Sequence, residues 1–412
     1  MTFHGLTWDH PRGCNALIAA AERVNAGRST PLIEWHIQPL EGFESAPIAD
    51  LAARYDLLVL DHPHIGEAVA EDCLTPLNTL FSQGQCDEWA AGTIGPAFAS
   101  YVWQGNSWAL PLDVATQVMA LRPKHARPQT WEQIDRIATD GGVAQSLAGP
   151  HAILTLMSMV AGTGASVGAK RFLEPEQAAI MLQRMHRLYA LRPKGSERLN
   201  PIGLLDAMAR DTAIPLIPLV FGYVNYTRPA RGQLPVAFAD SIRAATGAGG
   251  VLGGTGIAIT TRATPTDSLL AHLVELMSAD TQCRFIPRHD GQPSARAAWT
   301  DAQVNDAWGG FYAATRDTAE TALLRPRFDG YVAFQTAAAA VVRDALDTRE
   351  DVQKTLQKIE TLWSDAHAPA RPSWFRRGCS RSRPLGARPL RRNRESRRAW
   401  GGACRGRFRG SC

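Results

Sequence analysis

Long hydrophobic runs are missing from this 412-residue chain: the longest apolar candidate, around residues 215–224, is cut by Pro215 and Pro218, so no segment reads as a bilayer-spanning helix. The opening MTFHGLTWDH has none of the basic start, apolar stretch and small-residue cleavage site of a secretory leader. If that start is genuine, the chain is expected to stay where it is made. Its seven cysteines include no CxxC pair, which excludes a zinc knuckle or a thioredoxin-like centre. Cys73 and Cys86 are near enough in sequence to bridge in an oxidising compartment, but they read better as buried free thiols. No phosphate-loop pattern of Gly-Lys-Ser/Thr or GxGxxG accompanies the glycine cluster near residue 250, so a nucleotide loop is not expected there.

A uniformly basic surface is also missing, although the net charge is +5. Residues 371–412 hold fourteen Arg, no Lys and one acidic residue, Glu395, a local charge of +13 that leaves −8 on residues 1–370. The body is therefore acidic and offers no electrostatic case for nucleic acid. The tail lacks aliphatic periodicity and reads as a disordered or non-native appendage, with the vocabulary of a GC-rich gene translated out of frame.

What is present is an ordinary globular composition, 45% hydrophobic and 20% charged, in a chain long enough for two domains. Two segments repeat one pattern: residues 3–8 and 57–60 are short apolar runs, each followed by an Asp-His-Pro break and a helical stretch. Buried strands feeding loops and helices in this way belong to open α/β sheets, whose crevices lie beyond the strand ends. If both strands share one parallel sheet, Trp8, Asp9, His10, Asp61, His62 and His64 converge on one rim.

Further along, residues 101–108 read as a hairpin turning at Gly105-Asn106. Pro111 is expected to end one strand before another starts at Val114, and Thr130 caps a helix with Gln133 at the capping-box position. Helices are expected at 152–160, 175–189, 268–278, 301–315, 331–346 and 349–362, a strand pair at 216–226, and a loop at 285–293. The glycines of GAGGVLGGTGIAITTRA, Gly254 among them, precede a strand at 256–261 and are read as a close approach to ligand or a flexing crossover.

In this order the pieces YDLLVLD and LTPL, WALPLDVATQVMALRP with PQTWEQI, GGTGIAIT, MSADTQCRFIPRHDGQPSAR and ALLRPRFDGYVAFQTAAAAVVRDAL resemble the extracellular solute-binding proteins of ABC transporters. The resemblance is to the large sugar-binding family that includes the maltose-binding type, and it covers nearly all of residues 1–368. It implies a periplasmic-binding-protein-like α/β fold (type II) of two lobes, each a sheet flanked by helices, joined by crossover strands and closing over a solute. The matching positions imply lobe 1 at 1–112 plus 257–305, lobe 2 at 113–256 plus 306–370, and hinges at 111–114 and 253–257. They imply a monomeric, periplasmic receptor that delivers a sugar or sugar derivative to permease subunits, without cofactor, metal or catalysis.

A sugar needs aromatic platforms ringed by carboxylates, amides and guanidinium groups. Trp8, Trp108, Tyr223, Trp308, Phe311 and Tyr331 are the candidate platforms, with Asn225 beside Tyr223. Asp61 and Asp113 follow strand ends, where carboxylates accept hydroxyl hydrogen bonds. Arg12 precedes a helix N-terminus, and the resemblance puts Arg327 where the chain re-enters the cleft; either one facing inward points to a carboxylate or phosphate on the solute. The alternatives are a hydrolase using the Asp61/His62 rim, and a metal- or carboxylate-binding relative using Asp9, His10, Asp61, His62 and His64.

Overall fold

The computed structural model describes residues 1–39, 47–211, 213–228 and 230–368, so the arginine-rich segment 371–412 lies outside the described residues. Strand β1 (Phe3–Trp8) pairs in parallel with β2 (Ile33–Gln38) and with β3 (Leu57–Leu60), with Gly5 opposite Leu57. The two Asp-His-Pro strands are thus parallel neighbours in one mixed sheet. The helix Pro11–Asn25 returns the chain from β1 to β2, and its Leu17, Ala20 and Ala21 are buried.

The hairpin of β4 (Val102–Trp103) and β5 (Asn106–Ser107) turns one residue earlier than expected, at Gln104-Gly105. Both residues have positive φ, 50° and 80°, which is the backbone that a two-residue primed turn requires.

Pro111 does not end a strand. β6 (Leu110–Leu121) runs unbroken for 12 residues, all of them buried, and absorbs Pro111 as a register slip between Pro111 and Asp113. The N-terminal half of β6 pairs with β9 (Leu252–Ile259), while its C-terminal half pairs with β7 (Leu216–Phe221) and with β8 (Ala237–Ala239). β9 continues beyond β6 to pair antiparallel with β3. The seven-stranded order is β2-β1-β3-β9-β6-β7, with β8 also on β6, so β6 and β9 carry the chain between the two halves of the sheet.

The glycines expected before β9 lie inside it. A Cβ on Gly253 would come 2.7 Å from the Phe221 ring, on Gly254 2.2 Å from the Asp113 carbonyl oxygen, and on Gly256 2.8 Å from Tyr101. Close backbone approach in the crossover explains all three. The expected strand pair at 216–226 is a single strand, because Val224–Thr227 turns as a 3-10 helix. The expected helix at 301–315 is two helices, Ala302–Ala307 and Phe311–Glu320, parted by Gly309 and Gly310 at φ 59° and 77°.

Three apolar clusters hold this frame. One lies on a face of the β1–β3 side (Leu6, Leu58, Ile65, Tyr101, Trp108), and another fills the far half (Trp131, Met157, Phe172, Phe334, Trp363). The third runs along the crossover itself, from Trp8 and Leu57 through Val114 and Val118 to Val220 and Phe311. Among the described residues no helix is long and apolar enough to cross a membrane. Cys73 and Cys86 are free and buried, as the composition suggested.

Candidate functional site

Two residues past the end of β1 stands His10, whose imidazole caps the following helix by accepting from the Arg12 backbone N–H at 3.1 Å. The first helical turn then directs Arg12 toward β6. Its Nε donates to Asp113 Oδ2 at 2.7 Å, its Nη2 to Oδ1 at 2.6 Å, and its Nη1 to the Gly222 carbonyl at 3.3 Å. The guanidinium lies 4.5 Å over the Tyr223 ring and 5.5 Å from that of Trp8. Trp8 stacks on His10 at 5.3 Å and presses on Gly13, where a Cβ would fall 2.4 Å from the indole. One arginine thus joins the end of β1, the crossover strand and the segment after β7. Burial disfavours the Arg12 cation, but Asp113 outweighs it and holds the guanidinium above its ordinary range. Burial and the charge of Arg12 drive the His10 imidazole down to about 3, so it is neutral at physiological pH.

The second Asp-His-Pro break forms a parallel arrangement. Asp61 accepts from the His62 backbone N–H at 2.9 Å and pairs with Arg325 Nη2 at 2.5 Å, while His62 Nδ1 sits 3.1 Å from Asp61 Oδ1. Burial opposes ionisation of Asp61, yet Arg325 and His62 outweigh it and hold the carboxyl well below the usual range. Burial and Arg325 lower His62 to about 4. Arg327 donates to the carbonyls of Ala99 and Ser100 at 2.7 and 3.1 Å.

Between these walls and the outside lies a cleft of about 880 Å³, within the range of small-molecule sites. Its lining includes His10 and Pro11, Arg284, Arg288 and Asp290, and Asn225, Tyr226 and Arg228 from the segment after β7, where Asn225 Nδ2 donates to the Asp290 carbonyl at 3.2 Å. Trp308 closes the end, its Nε1 donating to the Pro287 carbonyl at 3.2 Å and its ring lying 5.5 Å from the Arg228 guanidinium. Gln292, fully buried, braces the floor: its Nε2 donates to the Val114 carbonyl at 2.8 Å and its Oε1 accepts from Val224 N at 2.7 Å.

No protein-family model matches the chain, and no curated protein sequence does. Solved structures do. A solute-binding protein of an ABC transporter from Agrobacterium radiobacter K84, in complex with ribitol, superposes with a TM-score of 0.73 at 17% identity, covering 89% of this chain and 98% of that one. Maltose-bound MalE3 of T. maritima gives 0.72 at 16%, over 88% and 99% of the two chains. The solute-binding protein of Agrobacterium vitis S4 with bound D-mannitol gives 0.70 at 16%, over 88% and 97%. The chain has the two-lobed fold of these binding proteins. β6 and β9 are its crossover strands, and the cleft opens between segments that they join.

Of the residues expected at the site, His10, Asn225 and Trp308 line the cleft, with Arg12, Tyr223 and Trp8 packed directly behind His10. Asp9 is exposed beside them. Asp113 is 5% exposed and engaged by Arg12. Others are placed elsewhere. Tyr331 is fully buried in the far core, with its hydroxyl 3.8 Å from Met157 Sδ, and Phe311 packs on Phe238. Trp108 donates to the Trp103 carbonyl within the cluster around Tyr101. Gly254, at φ 105°, presses on β6 rather than on a ligand space. Asp61, His62 and Arg327 tie the first half to the chain around residue 325 and do not line the cleft.

At the Asp61/His62 rim of the hydrolase alternative, His62 is 1% exposed. The chain's one GxSxG string, at residues 164–168, is not a strand-to-helix elbow: Ser166 Oγ donates to Glu174 at 2.9 Å on an exposed loop. No group of three metal-ligating side chains occurs among the described residues.

Sequence reasoning missed Tyr226, Arg228, Gln233, Arg284, Arg288 and Gln303, all of which line the cleft. Arg284 and Arg288 sit in the resemblance motif QCRFIPRHDG, but nothing local distinguishes them from solvated arginines.

Proposed function

We propose that this chain is the solute-binding receptor of an ABC importer, taking one small polar, carbohydrate-like solute into the cleft and presenting it to permease subunits in the periplasm. The observation that carries this reading is that the walls of the cleft come from both sides of the crossover: His10 from the end of β1, Asn225 and Tyr226 from the segment after β7. A solute touching both walls binds the closed arrangement better than the open one, and only that difference shifts the population. Trp308 supplies an apolar face for sugar C–H groups, and Asn225, Gln233 and Gln303 supply amide partners for hydroxyls. The hinges implied by the resemblance, at residues 111–114 and 253–257, fall on paired stretches of β6 and β9, and in this reading a few backbone dihedrals there absorb the motion while both cores stay packed. The reading involves no covalent step and no cofactor. The ligands of the similar structures, ribitol, maltose and D-mannitol, define the first chemical class to screen.

The test is a thermal-shift and calorimetric screen of sugars, polyols and their acidic derivatives, with X-ray scattering of any hit. Saturable stabilisation with a smaller radius of gyration is the expected result. A panel without a binder, or binding without compaction, removes the receptor reading.

A further inference from the structure

We propose that the solute is anionic, a hydroxylated carbohydrate derivative whose carboxylate or phosphate is gripped between Arg228 and Arg288. This deepens the receptor reading and rests on it. The two arginines that the sequence offered for such a role are already committed: Arg12 to Asp113, and Arg327 to two backbone carbonyls. The cleft itself carries three other arginines and one aspartate along its lining. Arg284 is paired with Asp301 at 2.9 Å, and Asp290 accepts from Asn15 Nδ2 at 2.8 Å. Arg228 and Arg288 have no carboxylate partner among the described residues.

They are carried by different segments, Arg228 by the one after β7 and Arg288 by the helix Ile286–Arg288, next to the loop that packs on the first helix. An anion held by both arginines ties these segments together, and its preference for the closed arrangement drives closure. Arg228 lies over the Trp308 ring, which places an aromatic face next to the anion position. That juxtaposition suits a molecule with a charged end and a sugar-like body. The local charge runs against the rest of the molecule, since residues 1–370 carry −8. His10, held neutral, adds nothing to it, which leaves the arginines in control of the sign.

The experiment is calorimetric titration at low and high salt with D-glucuronate, glucose 6-phosphate and inorganic phosphate, against glucose, ribitol, mannitol and maltose. We expect an acidic sugar to bind, to weaken with salt, and to lose about tenfold in affinity in each of Arg228→Gln and Arg288→Gln. Both residues are exposed, so the variants should keep the parent melting temperature. The carboxylate and phosphate arms identify which anion is read. Binding of neutral sugars with no preference for acidic ones overturns this inference and leaves the receptor reading standing; binding of nothing in the panel overturns both. Inorganic phosphate binding as tightly as the sugar phosphate overturns the carbohydrate part, and unchanged affinity in both variants overturns the assignment of the arginines.

Discussion

Arg12 grips Asp113 with three hydrogen bonds, Nε to Oδ2 at 2.7 Å and to Oδ1 at 3.0 Å and Nη2 to Oδ1 at 2.6 Å, across 101 positions of sequence. Their side chains are 4% and 5% exposed, so neither charge has water to fall back on. Asp113→Ala leaves the guanidinium buried and unpaired, and is expected to cost about 3–5 kcal/mol in urea unfolding. The double variant Arg12→Met/Asp113→Leu should recover most of that loss. Equal, additive losses in the two single variants and the double would mean that the residues act independently.

Gly254 is the second point of rigidity. At φ 105°, with the Asp113 carbonyl 2.2 Å from where a Cβ would stand, Gly254→Ala has to shift backbone in the crossover. A loss of about 1–3 kcal/mol is expected, read as a lower urea midpoint. A midpoint equal to that of the parent would show that β9 has slack there. Gly105→Ala, at a turn with nothing within 4 Å, serves as the comparison for positive φ without crowding.

Acid should weaken the fold through buried histidines. His10 is held at about 3, and His62 and His272 at about 4, all below the ordinary 6.5 and all chiefly through burial. Below pH 6.5 the unfolded chain takes up protons that the folded chain refuses, so this stability is present above 6.5 and is lost as pH falls toward 4. The urea midpoint should therefore drop between neutral pH and about pH 5. His272 Nε2 is buried without a hydrogen-bond partner among the described residues, so His272→Leu should flatten the slope with little loss at neutral pH. An unaltered slope in that variant would remove His272 from the account.

Binding and stability should separate along the lines of the cleft. Asn225→Ala and Trp308→Ala are expected to weaken solute binding by about 1 kcal/mol or more, since both line the cleft. Tyr331→Phe should leave affinity unchanged, because that ring lies in the far core. Trp8→Ala should chiefly cost stability, about 3–5 kcal/mol, for an indole that is 2% exposed. A Tyr331 variant defective in binding but normal in stability would contradict this placement.

Much of the fold was legible because it is local. The apolar run Phe3–Trp8 and the break after it follow from residues within a turn of one another. So does the Thr130 cap on Trp131–Thr139, where Thr130 Oγ1 accepts from Gln133 N at 3.3 Å. Pro111 misled for the opposite reason. A proline stops a strand only when its missing N–H is needed, and the slip opposite Gly256 removes that need. The glycine cluster misled in the same way, since only the position of Phe221, Asp113 and Tyr101 explains why a side chain does not fit.

By itself the sequence determined the alternation of strands and helices, the two Asp-His-Pro breaks that follow strands, and the acidic body, because each depends on periodicity, turn residues or charge count over short stretches. The tertiary structure alone decided which charged groups stay available. It spent Arg12 on Asp113 and Arg325 on Asp61, and it left Arg228 and Arg288 facing a cleft. An arginine looks the same in a sequence whether a carboxylate a hundred residues away neutralises it or not, and only the folded distances settle that.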